Sequence, residues 1–147
     1  MTQLLSLEKI LHVKENEKQT AELKHHQSVE AFEKVAIKLY ELLKKKEAAE
    51  ALLEETLQQK MTVTELQHQT IYIEQLKENI IHLQEEVNDA RSKMEDRKND
   101  LTDKHIEFKK IETIIEKRHQ EIKAAEQKEA NILMDELAIQ QYMKLKK

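Results

Sequence analysis

The chain of 147 residues contains no glycine, proline, cysteine or tryptophan, where average usage would supply roughly a dozen and a half glycines and prolines. Tight turns draw on Gly for positive φ and on Pro for a preset φ, so a compact domain with many turns is excluded. Without cysteine there is neither a disulfide nor thiolate chemistry. Without glycine no G-x-x-x-x-G-K loop can cradle a phosphate. Aromatics amount to only 3%, too few for an ordinary globular core. Charge of one sign is also missing: the net charge is −4, and basic and acidic residues intermingle along the whole chain. A basic arm for nucleic acid is therefore disfavoured. The start, Met1-Thr2-Gln3-Leu4-Leu5-Ser6-Leu7-Glu8-Lys9, has no basic region ahead of an apolar one, unlike a signal peptide. No run approaches the roughly 20 apolar residues of a membrane span.

What remains is the composition of long, solvated helices, with 37% charged residues and an abundance of Ala, Glu, Gln, Leu, Lys and Ile. In the second half, Leu66, Ile73, Ile80, Val87, Met94, Leu101, Phe108, Ile115 and Ile122 recur every seven residues. Companion positions three residues later, such as Leu76, Leu83, Ala90, Ile111, Ile132 and Ile139, are mostly apolar, with Arg97, Lys104 and Arg118 as charged members. A sustained period of seven predicts a left-handed supercoil with a partner helix. Arg97 and Lys104 loosen the middle of that seam and restrict its register. In the first half the same spacing from Leu4 selects Leu11, Lys18, His25, Phe32, Leu39, Lys46 and Leu53, with Leu7, Lys14, Ala21, Ser28, Val35, Leu42 and Ala49 between them. This seam is patchier, and Val29, Ala36, Leu43 and Leu57 widen it on one flank.

The two phases do not run into each other, and helix propensity falls at the β-branched cluster Thr62-Val63-Thr64. Thr62 and Glu65 have the spacing of a capping box, in which Thr62 accepts from the N–H of residue 65 and Glu65 reaches back to the N–H of Thr62. The pattern predicts an all-α fold, an antiparallel coiled-coil hairpin forming a single module over residues 1–147. Helix 1 is expected at about 3–59, the joint at about 60–62 and helix 2 at about 63–143. A fold near residue 60 places Leu4 opposite about residue 117, which leaves a C-terminal overhang from about residue 118. The overhang carries Ile132, Leu133, Met134, Leu137, Ile139, Tyr142 and Met143 around most of the helix circumference. Such a surface needs either the N-terminal segment or another protein to cover it. The alternative is one continuous helix that self-associates as a structural rod or spacer.

Chemistry is hard to find. His12, His25, His26, His68, His82, His105 and His119 include no H-x-x-x-H or H-E-x-x-H spacing, so no metal ligand set is assigned. Carboxylates such as Glu30 and Asp100 lie four residues before lysines and read as exposed helix pairs. No catalytic residue, cofactor or metal is expected, and the chain is not read as an enzyme. Phe32 and Phe108 fall on the seams, whereas Tyr40, Tyr72 and Tyr142 fall off them and are candidate partner anchors.

Four segments also carry a resemblance. They are Leu5-Ser6-Leu7-Glu8-Lys9-Ile10-Leu11-His12-Val13-Lys14-Glu15-Asn16-Glu17-Lys18, Phe32-Glu33-Lys34-Val35-Ala36-Ile37-Lys38-Leu39-Tyr40-Glu41, the joint Met61-Thr62-Val63, and Met134-Asp135-Glu136-Leu137-Ala138-Ile139-Gln140-Gln141-Tyr142-Met143. In their order and spacing they resemble the flagellar export protein FliJ family, in its form from Gram-positive flagellated bacteria, although members often carry aromatics where this chain has Leu5 and Leu7. The resemblance implies a stalk similar to that of rotary ATPases, whose paired termini enter a hexameric flagellar export ATPase. It also implies contacts with the membrane protein of the export gate and with export chaperones. By that likeness Leu7, Leu11, Leu133 and Leu137 face the ATPase ring, and Tyr40 and Tyr72 face the gate. The expected location is the cytoplasm, peripheral to the inner face of the membrane at the flagellar base, with no cofactor.

Overall fold

The computed structural model describes residues 2–146. Two helices account for nearly all of them: α1, Thr2–Leu57, and α2, Val63–Leu145. They pack as an antiparallel coiled coil, so the unbroken single helix of the alternative reading is not what forms. The five residues between them reverse the chain without glycine, and no described residue has positive φ. At the end of α1 the Gln59 N–H donates to Thr56 O at 3.1 Å, the three-residue closure of a tightened last turn. At the start of α2 the Glu65 N–H donates to Thr62 Oγ1 at 3.2 Å, and the Leu66 N–H donates to Thr62 O at 3.1 Å. Thr62 is therefore the N-cap, and the bond from residue 65 is the first half of the expected box.

Packing divides the structure into two units, one made of the chain up to Lys18 with the chain from Asp103 onward, the other of Gln19–Thr102. In the first, Arg118 Nη1 donates to Gln3 Oε1 at 3.3 Å and Lys14 Nζ donates to Glu107 Oε2 at 3.1 Å. Eleven residues forward in α1 thus match eleven backward in α2, which is an antiparallel register. Leu4, Leu7, Leu11, Lys14 and Lys18 are half-buried there against Lys104, Phe108, Ile111 and the buried Ile115. The seam stops soon afterwards. Ile122, expected to continue it, is 40% exposed because the described part of α1 runs out opposite Arg118.

In the second unit the buried residues are Ala21, Ser28, Ile73, Leu76, Ile80 and Val87, all on the heptad rows. The widened flank forms only in part: Val29 and Ala36 are half-buried, but Leu43 and Leu57 are exposed. Phe32 and Phe108 both occupy seam positions, each with a cation over its ring, Arg91 at 5.8 Å from Phe32 and Lys18 at 4.6 Å from Phe108. The polar seam position Lys18 is tolerated in this way: its stem packs and its ammonium stands over the Phe108 ring.

A seam one side chain deep makes adjacent residues energetically unlike. Ile80 is 6% exposed and its neighbour Ile81 57%. Ile80→Ala is expected to lower the unfolding free energy by about 2 kcal/mol or more. Ile81→Ala, with the same change in helix propensity, should stay within about 0.5 kcal/mol of the parent. Urea denaturation followed by circular dichroism reads both, and equal losses would contradict the assigned seam.

Candidate functional site: exposed apolar surfaces and an ionic cluster

The seam residues that close each unit leave other apolar side chains in water, and these are the surfaces a partner could use. The largest lies on α2 beyond Arg118. Every residue from 116 to 146 is exposed, among them Ile132, Leu133, Met134, Leu137, Ile139, Tyr142, Met143 and Leu145. At 100° per residue Ile132, Ile139 and Met143 make one stripe, while Leu133 and Leu137 lie on another side, so no single flat contact covers both. The segment does not fold back on the N-terminal leucines. Residues 116–131 hold only one large apolar side chain, Ile122, and separate the paired region from the apolar end.

The expected contact residues divide accordingly. Leu133 and Leu137 are exposed, whereas Leu7 and Leu11 are half-buried in the seam. Leu133 lies fifteen residues past Arg118, the residue that meets Gln3, or about 22 Å along the helix axis. Leu7 and Leu11 therefore do not join Leu133 and Leu137 in one patch. Tyr40 and Tyr72 are both exposed. Lys44 Nζ stands 4.8 Å from the Tyr40 ring, while Tyr72 lines a shallow, mainly apolar groove with Lys45, Ala48, Ala49, Leu52 and Gln69. Tyr40 is not part of that groove.

One class of exposed residue escaped the sequence reading although a signal for it existed. Adjacent apolar doublets occur at Leu4-Leu5, Leu42-Leu43, Leu52-Leu53, Tyr72-Ile73, Ile80-Ile81 and Ile114-Ile115, and in each the residue off the heptad row is exposed. A helix turns 100° between neighbours, so only one of two adjacent side chains can face the partner helix. Ile114 illustrates the result, and with Ile106 and the stems of Lys109 and Lys110 it forms an apolar strip on the outer side of α2.

The paired end carries the main electrostatic feature. Lys14 Nζ lies 3.1 Å from Glu107 Oε2 and 3.5 Å from Glu17 Oε2, and Lys104 Nζ lies 3.9 Å from Glu17 Oε2. Glu17 Oε2 is shielded from solvent and has no hydrogen-bond partner, so it is held by charge alone. The hydrogen bond and charge of Glu107 raise the Lys14 ammonium above its ordinary value of 10.5, and Lys14 in turn lowers the Glu107 carboxyl below 4.5. Among the described residues no group of three or more His, Asp or Glu could hold a metal ion. Among the described residues no helix is long and apolar enough to cross a membrane.

The cluster has a defined pH signature. A carboxyl lowered on folding adds stability above its ordinary value and loses it as pH falls through the folded value. A raised ammonium adds stability below its ordinary value and loses it as pH rises through the folded one. The difference in melting temperature between the parent and Glu107→Gln is thus expected to stay level from about pH 6 to pH 9 and to shrink as pH drops below 4.5. A difference that persisted undiminished in acid would show that the pair is not its source.

With this geometry the chain was compared with known proteins. The family model described as "Flagellar FliJ protein" matches residues 3–147. A curated protein of Bacillus subtilis (strain 168), named "Flagellar FliJ protein", is 41% identical over 140 residues, covering 92% of each chain. No solved structure matches the chain.

Proposed function

The chain belongs to the flagellar FliJ family, and from that footing we propose that it is a non-enzymatic coupling and escort component of the flagellar type III export apparatus. It binds the hexameric export ATPase as a central stalk and contacts the export gate and the export chaperones, working in the cytoplasm at the inner face of the membrane. The observation that carries this reading is the apolar end of α2, exposed on more than one side over its whole circumference. A flat partner would bury one stripe and leave the other wet. A ring of subunits surrounding the helix covers every side, which suits the apolar area involved.

In this reading Leu133 and Leu137 meet the ring directly, and Leu7 and Leu11 contribute the outer edges that the seam leaves accessible. The polar stretch 116–131 sets the spacing between the paired region and the contact. Tyr40 and Tyr72 form the gate contacts, as rigid amphipathic side chains suited to anchoring. Because the two lie at different levels and only Tyr72 lines a groove, they are two anchors rather than one pocket.

The purified chain is expected to bind the hexameric export ATPase of the same organism and to raise its hydrolysis rate. Removal of residues 118–147 should abolish both effects while leaving the melting transition of the paired region in place. Leu133→Ala combined with Leu137→Ala should weaken binding about tenfold or more, on the scale of two buried leucines lost from a contact. Undiminished binding by the truncated chain in a pull-down would overturn the assignment of the end of α2.

A further inference from the structure

We propose that the concavity between the helices at Ser28 and Arg97 binds a small, multivalent oxyanion of the phosphate class. It belongs wholly to the Gln19–Thr102 unit. Its origin is local. Ser28 and Ala90 put short side chains at heptad positions, and with the exposed Ala31 beside them they line a hollow of about 170 Å³. That is several times the ~30 Å³ share of a water molecule in the liquid. It is also below the ~300 Å³ at which pockets for drug-sized ligands begin. Ser28 is 5% exposed at the floor, with its hydroxyl donating to His25 O. Around the rim stand Lys24 and Gln27 from α1 and Lys93 and Arg97 from α2, and no carboxylate lines the hollow.

Among the half-buried lysines and arginines, Arg97 is set apart by its lack of a partner. Lys14 is matched by Glu107, Lys104 by Glu17, Lys46 by Glu50, and Lys18 and Arg91 by phenylalanine rings. Lys24, Lys93 and Arg97 have no ion pair, hydrogen bond or ring contact among the described residues, and Asp89, Asp96 and Asp100 on the neighbouring turns of α2 pair with none of them. Arg97 is the sharpest case. It is half-buried at a heptad position, and its five N–H donors have no protein acceptor among the described residues. A guanidinium so placed matches an oxyanion through paired N–H bonds, and the two lysines add point charges from both helices. Three converging cations favour a multiply charged tetrahedral anion over a single carboxylate. Because the chain as a whole carries −4, its general field does not attract anions, and binding must come from this local cluster. A bridging anion would also tie α1 to α2 at this level, stabilising the fold in proportion to occupancy.

The test uses the full chain and pyrophosphate, with chloride at matched ionic strength as reference. Phosphorus NMR and isothermal titration are expected to show saturable binding at one site, with a melting temperature that rises with pyrophosphate. Arg97→Gln should weaken binding about tenfold or more through loss of the charge-assisted bonds, while Lys44→Gln with Lys45→Gln, lysines outside the hollow, should leave it unchanged. If Arg97→Gln lowers helicity, the exposed pair Lys24→Gln and Lys93→Gln decides, and weakened binding is expected there too. Non-saturable binding, or binding unaltered by the hollow's substitutions, would overturn the proposal. Equal saturation by succinate would assign the hollow to carboxylates and overturn the phosphate assignment.

Discussion

Each helix of this protein is buried only by the other, along a stripe one side chain wide, and nearly every property of the molecule follows from that constraint. There is no second layer to complete the burial: among the described residues no large side chain is fully enclosed, and even Ile73, Leu76 and Ile80 keep a few per cent of their surface. Such a seam excludes little water. It therefore accepts Lys14, Lys18, His25, Lys46 and Arg97 at heptad positions that a thicker core would reject. The stems of these residues contribute packing, and their charged heads reach a carboxylate, a ring or solvent at the edge.

The unequal lengths of the helices convert this constraint into a surface. α1 has 56 residues and α2 has 83, and a helix whose burial depends on a partner has none once the partner ends. The two heptad rows continue past Ile115 into Ile122 on one and Ile132 on the other, but the side chains there face water. Membership of the flagellar FliJ family gives this unpaired end a setting, because a component of an assembly can leave apolar surface to be covered by the assembly. The spacing between paired region and apolar end is set by the polar residues 116–131.

The polar intrusions are not all equivalent, and their difference separates structure from possible ligand binding. Lys14, Glu17, Lys104 and Glu107 meet opposite charges across the helices in the observed register. Lys24, Lys93 and Arg97 converge without any such partner around a hollow made by small residues. The first group is paired within the fold, and the second is not.

The sequence by itself determined the helical class, the two heptad rows, the break near Thr62 and the need for partners. These follow from local physics: the absence of Gly and Pro removes turns, a period of seven commits one stripe to a partner helix, and Thr62 can cap only a helix that starts beside it. Only the tertiary structure decided which residue of each apolar doublet turns outward, and that Leu7 and Leu11 are half-buried while Leu133 and Leu137 are exposed some 22 Å from the level of Arg118. It also decided which cations find a partner. Arg97 and Lys104 look alike in the heptad row, and the sequence reading treated them as one pair of register-setting charges. Their fates diverge because an ion pair depends on what the opposite helix presents at that level. Across from Lys104 stands Glu17, and around Arg97 stand Lys24, Ser28 and Lys93.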